Sequence, residues 1–157
     1  MEFLSGFAGS LIPFLLILTV LVFVHELGHY WVARRTGVRV EVFSIGFGPE
    51  LFGFDDKHGT RWKFSAIPLG GYVKMFGDAD PASATSEGLA EMTPDEKAVS
   101  FHYKSVAQRT AIVAAGPAAN FLFAIVLLAG MFMVVGQRYA PATVDEVMAG
   151  SAAAEAG

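Results

Sequence analysis

The chain has 157 residues, 54% of them apolar and 17% charged, with a net charge of −4 and no cysteine. Typical soluble domains carry about 25% charged residues. The absence of cysteine excludes a disulfide framework and any thiolate nucleophile or metal ligand, and the small acidic charge argues against nucleic acid as the main partner.

The charge deficit is concentrated in two places. No charged residue occurs from Phe3 to Val24, and none from Thr110 to Gln137. Each stretch is longer than the roughly 20 residues a helix needs to cross a bilayer. Core helices of a soluble protein are shorter and show a polar stripe that these stretches lack, so both read as membrane spans.

Residues 1–10 read as a short interfacial lead-in. The first charge is acidic Glu2 and no small-residue cleavage site follows the apolar run, so the first span reads as a retained anchor rather than a signal peptide. The span is predicted from about Leu11 to Tyr30, continuing as helix to Thr36. Gly37 then serves as C-terminal cap, and Arg34 and Arg35 suit the negative end of the helix dipole. Tyr30 and Trp31 fit an aromatic belt at the membrane surface.

From Val38 the pattern changes to alternation. Val38, Val40 and Val42 interleave with Arg39 and Glu41, "DDKHG" is a turn signal, and "RWKFSAIPL" and "YVKMF" alternate again. This predicts a β-hairpin or small sheet. It is unusually apolar and carries the glycine pairs Gly46/Gly48 and Gly70/Gly71, which in strands mark bulges or close backbone approach. The pattern suits a sheet lying on the membrane as well as a strand that faces a substrate.

Residues 78–100 are polar, acidic and rich in small residues and read as a mobile loop, with a short helix after Thr93, where Thr93-Pro94-Asp95-Glu96 supplies N-cap and first-turn residues. The second span, about Thr110 to Gly136, contains "AAGPAANF". Pro117 is expected to kink the helix or start it anew, and Gly116 with its neighbouring alanines permits close helix packing. Asn120 is a polar side chain at membrane depth, suited either to an inter-helix hydrogen bond or to the same cavity as the His25/His29 pair. The tail returns to a soluble composition: "ATVDEV" is strand-like and "GSAAAEAG" a turn opening a helix, and the chain reads as ending within a domain.

Ten of the eleven Lys and Arg residues lie between the spans, and only Arg138 lies outside. The positive-inside rule makes the central segment cytoplasmic and both ends extracytoplasmic.

One motif carries chemistry. "HELGH" at residues 25–29 places His25 and His29 at i and i+4, on one face of the first span. Two imidazoles so placed can share one metal ion, and Glu26 beside them can take a proton from water. Zinc is the natural ion, accepting imidazole nitrogen and making bound water acidic. Ionisable residues at membrane depth are costly and read as functional. His29 lies five residues before Arg34, about 7.5 Å of helix rise, so the motif sits near the cytoplasmic face with a short path to water.

Together the motifs resemble the site-2 protease family of intramembrane zinc metalloproteases, in its bacterial regulator-of-sigma-E protease branch. The resemblance rests on "HELGHY" at 25–30, "GFGP" at 46–49, "IPLGGYVKMFGD" at 67–78, "KSVAQRTAIVAAGPAANF" at 104–121 and "GSAAAEAG" at 150–157, and it spans nearly the whole chain. It implies a membrane α-helical fold with a membrane-associated β-hairpin or small sheet. The implied organisation is a first transmembrane helix with the His-Glu-x-x-His motif (1–36), a β-loop region (37–78), a cytoplasmic polar loop (79–105), a second transmembrane helix with Gly-Pro-x-x-Asn (106–137), and the start of an extracytoplasmic PDZ domain (138–157).

The resemblance further implies a Zn2+ held by His25 and His29, Glu26 as general base, and cleavage inside transmembrane segments of single-span substrate proteins at the bacterial inner membrane. Substrate contacts would come from Asn120 and Pro117 and from Gly46, Gly48, Gly70 and Gly71 of the β-loop, which would take the substrate as an added strand. The PDZ portion would act as a gate for substrates already trimmed. The family's third ligand is an Asp in a later transmembrane helix, so these 157 residues are expected to bind zinc weakly and cleave poorly by themselves. Two other readings compete: a soluble zinc enzyme merely anchored to the membrane, and a non-catalytic membrane adaptor that binds partners through the β-loop and PDZ portion.

Overall fold

The computed structural model describes residues 2–78, 92–136 and 147–156. The element order is α1 (Glu2–Arg35), β1 (Val40–Asp55), β2 (Arg61–Met75), α2 (Pro94–Val99), α3 (Val106–Val135) and α4 (Ala152–Ala156). The chain divides into two compact units, Met1–Ile125 and Val126–Gly157. The first holds α1, the sheet, α2 and most of α3; the second holds the last turns of α3 and α4.

Two helices are long and apolar enough to cross a membrane, Gly9–Arg35 and Val106–Val135, and none of the apolar window of either is buried within the protein. Ile12, Leu16 and Ile17 on α1 are each more than 60% exposed. A soluble protein would have to cover such surface, and the two helices with the small sheet fit a membrane protein.

The expected lead-in over residues 1–10 is instead helix from Glu2 onward. A backbone at a membrane surface gains by satisfying its own hydrogen bonds, and nothing in "EFLSGFAGS" stops the helix. Pro117 likewise lies inside α3, which runs unbroken from Val106 to Val135 rather than starting anew. Spanning helices tolerate a proline because no water competes for the remaining backbone bonds.

The helix ends are built as their sequences indicate. Gly37 takes φ 74°, Val38 N–H bonds Ala33 O at 2.9 Å and Gly37 N–H bonds Arg34 O at 3.2 Å. That is the Schellman pattern of paired C-terminal bonds. Arg35 lies over the Trp31 ring at 3.8 Å. α2 opens on a capping box between Thr93 and Glu96. Ser105 and Gln108 form the same reciprocal pair at the start of α3, at 3.1 and 3.2 Å. α4 follows a turn at Ala149–Gly150. Of the strand-like residues 142–147, all but Val147 lie outside the described residues.

β1 and β2 form one two-stranded antiparallel sheet, but both strands are long and bent, so the first half of β1 has two sets of neighbours. Phe43, Ser44 and Ile45 lie opposite Val73, Tyr72 and Gly71 on one side and opposite Trp62, Lys63 and Phe64 on the other. The bend falls at Gly46, φ 89°, where a side chain would meet Ile67 O at 2.7 Å. The end of α1, the start of β1, the end of β2 and α3 meet in a small core of Ala33, Val38, Val40, Met75 and Ile112. The far part of the sheet exposes Leu51, Phe52, Phe54 and Leu69.

The sheet is fastened to α1 through aromatic rings and one carboxylate. Phe43 is fully buried, stacked on Trp62 at 4.1 Å and met edge-on by Phe23 and Tyr30 of α1. Asp56, in the turn between the strands, accepts from Tyr30 Oη at 2.9 Å, Trp62 Nε1 at 3.2 Å, His58 N at 2.8 Å and Thr60 N at 3.0 Å. Burial alone would raise its carboxyl, but the Thr60 and His58 N–H groups, with Tyr30 and Trp62, outweigh that and lower the pKa to about 2.

A carboxyl depressed on folding stabilises the fold above its unfolded pKa and loses that contribution as the pH falls through its folded one. Asp56→Asn is therefore expected to lower the melting temperature at neutral pH by about 2–4 °C, the shift for ~1 kcal/mol in a chain of this size. Thermal melts should show the difference between wild type and variant shrinking as the pH falls from about 4 toward 2.

Candidate active site

Helical spacing puts His25 and His29 one turn apart on α1, and their rings meet edge to face with centroids 4.8 Å apart. α3 crosses directly over them. The approach is backbone-close: a methyl group at Gly28 of α1 would collide with Ala115 O and lie 2.8 Å from Ala119 Cβ. A methyl at Gly116 of α3 would collide with His29 Nε2 and lie 2.8 Å from His25 Nε2. Both Nε2 atoms thus converge on a point of α3 that carries no side chain, Gly116.

The other ring nitrogens face α3 on either side of that point. His29 Nδ1 lies 2.7 Å from Ile112 O. A carbonyl oxygen only accepts, so Nδ1 carries a proton, and in the neutral ring Nε2 is left with its lone pair. His25 Nδ1 lies 3.2 Å from Asn120 Nδ2, and Asn120 Oδ1 is buried without a hydrogen-bond partner.

Glu26 stands in the wall between two clefts. One, of about 400 Å³, is bounded by Leu21, His25, Glu26, Gly70, Gly71 and Asn120. The other, of about 280 Å³, is bounded by Glu26, His29, Tyr72, Asp78 and Ile112. Gly71 brings β2 against α1 here: a side chain on it would meet Ser44 O at 2.6 Å, Val22 Cγ1 at 2.9 Å and Glu26 Cγ at 3.3 Å.

The residues singled out from sequence separate into groups. His25, Glu26, His29, Asn120, Gly70 and Gly71 come together. Pro117 lines a third cleft beside His25 and Asn120. Gly46 and Gly48 lie in the bend of β1, against Ile67. Three participants left no readable signal: the Ile112 carbonyl, because a backbone oxygen has no sequence signature, and the Tyr30–Asp56 pair, because its members are 26 residues apart.

Two imidazoles suit zinc, and the second ring nitrogen of His29 is held by an oxygen, the outer contact such a ligand usually has. Among the described residues no group of three or more His, Cys, Asp or Glu is placed to hold one ion, and catalytic zinc takes three protein ligands.

Comparison with known proteins identifies the family. Residues 13–155 match the model of Peptidase family M50. A protein of Mesorhizobium japonicum provisionally named a zinc metalloprotease is 54% identical over 153 residues, covering 96% of this chain and 42% of that protein. Metalloprotease MmpA of Caulobacter vibrioides is 45% identical over 161 residues, 97% of this chain and 40% of its own length. Regulator of sigma-E protease RseP of Escherichia coli is 48% identical over 151 residues, 96% of this chain and 31% of RseP. The chain thus spans about two fifths or less of these relatives. The match over nearly all its residues shows that it belongs to peptidase family M50, the site-2 protease family.

Proposed function

We propose that the protein is a zinc-dependent intramembrane endopeptidase that cleaves single-span membrane proteins within or at the edge of their transmembrane segments. The observation that carries this reading is the convergence of His25 and His29 Nε2 on Gly116, beside Glu26, in a helix whose apolar surface is open to the bilayer.

His25 and His29 are the residues that would hold the ion, with a third protein ligand from beyond the described residues. When bound, zinc supplies Lewis acidity to a water molecule and to the scissile carbonyl. Glu26 takes a proton from water as its oxygen adds to the peptide carbon. It then returns that proton to the leaving nitrogen as the C–N bond breaks, so one water is consumed and no other reactant is needed. The cleft bounded by Leu21, His25, Gly71 and Asn120 receives the substrate after its helix has unwound, since a helical peptide bond is shielded. Gly70 and Gly71 leave room for its backbone, and the bent sheet with Gly46, Gly48 and Pro117 shapes the approach.

The clustering of basic residues between the spans supports a cytoplasmic central segment in a bacterial inner membrane. The Arg35–Trp31 stack at the end of α1 supports an interface there. Residues 138–157 are read as opening an extracytoplasmic PDZ domain that admits trimmed substrates.

Glu26→Gln in the full-length protein should slow cleavage of a membrane-anchored reporter by about 10²–10⁴-fold, the usual contribution of a general base, while zinc content stays near wild type. Undiminished cleavage would remove Glu26 from this role. Protein purified without stoichiometric zinc would favour the adaptor reading instead. Gly116→Ala should cut zinc retention by about tenfold or more, since its methyl occupies the meeting point of the imidazoles. Gly130→Ala, at a position with nothing within 4 Å, serves as the matched control in metal analysis.

A further inference from the structure

Ile112, Gly116 and Asn120 recur every four residues along one face of α3, opposite His29 and His25 of α1. Gly116 receives the two Nε2 atoms. Ile112 O, on one side, holds the Nδ1 proton of His29. Symmetry of function asks for an acceptor on the other side, at His25 Nδ1. The group there is the Asn120 amide, with Nδ2 at 3.2 Å and Oδ1 buried and unpartnered.

With Nδ2 toward His25, the amide donates, so Nδ1 must be the acceptor and Nε2 carries the ring proton. A protonated Nε2 cannot be a ligand. Turning the amide by half a rotation puts Oδ1 at the same place, because its nitrogen and oxygen halves are nearly equal in shape. Nδ1 then donates and Nε2 keeps its lone pair. Either orientation leaves one amide atom in the unpartnered position, so the choice falls to what His25 has to do.

We propose that Asn120 is a positioning residue for His25: its Oδ1 accepts the Nδ1–H hydrogen bond and so fixes the tautomer and ring plane in which Nε2 can bind the metal. This rests on the zinc site proposed above. It gives α3 the task of orienting both imidazoles of α1, one through a backbone carbonyl and one through a side-chain carbonyl. Asn120 thereby acts on the metal site through His25.

The experiment is zinc affinity, measured by chelator competition on the full-length protein in detergent, for wild type, Asn120→Leu and Asn120→Asp. Leu keeps the volume and removes the acceptor; its affinity should fall by about 10- to 100-fold, the usual cost of losing an outer hydrogen bond to a ligating histidine. Asp keeps acceptor oxygens and has no N–H; its affinity should stay within about threefold of wild type. A role as amide donor, to His25 or to a substrate carbonyl, predicts the reverse for Asp: zinc affinity or substrate KM worsened as much as by Leu. A drop of tenfold or more in zinc affinity for Asp, or an unchanged affinity for Leu, overturns the proposal. Should Asn120→Leu fail to fold, the Asp result decides alone. Wild-type protein that binds no zinc defeats the proposed function itself, a result distinct from either variant outcome.

Discussion

Everything at the site depends on two helix backbones touching. Apolar helices have no hydrophobic drive toward each other in lipid, so association rests on close packing and on the few polar contacts it permits. Here the contact is made where side chains are missing. Gly28 admits the Ala115 carbonyl, and Gly116 admits both imidazoles. Larger residues at either point would hold α3 away from α1, beyond the reach of the His29–Ile112 bond at 2.7 Å and the His25–Asn120 contact at 3.2 Å. His29 thus meets the Ile112 carbonyl and His25 meets the Asn120 amide where the two apolar helices touch.

The sheet answers a second requirement, that something other than lipid should border Glu26. Gly71 sets the β2 backbone beside the Glu26 side chain, and the Phe43–Trp62–Tyr30 cluster sets the height of the sheet along α1. The wall so formed divides the surroundings of Glu26 into two clefts. The one toward Leu21 is apolar and the one toward Asp78 more polar, which places the Glu26 carboxyl at the boundary between the two environments.

Much of this was legible in the sequence, for identifiable reasons. A helix with charge-free length and a glycine cap reads directly, so α1, Gly37 and α3 fall close to expectation. The Thr93 capping box reads as well, because its partners are three residues apart. The spacing of His25 and His29 predicts their shared face. Pro117 does not start the helix anew, one of the two outcomes expected of it, since α3 continues through it. The doubled pairing of β1 was not legible either, since alternation predicts strands but not which half of a bent strand finds which neighbour. Asn120 was legible as a polar anomaly, and both readings offered for it hold at once: it bridges the helices and it borders the cleft.

The fastening of β1 has a mechanical consequence. Its start is tied to the last turn of α1 by the Val38–Ala33 bond, and the turn at its far end is tied to Tyr30 of the same helix by Asp56. A beam clamped at both ends cannot swing about either; it can only bow at mid-length. In β1 the middle is Gly46–Gly48, where both glycines hold positive φ. Any flexing of the sheet is therefore confined to that bend and to the Phe47 ring packed beneath Gly70, while the edge next to Glu26 keeps its distance from the helix.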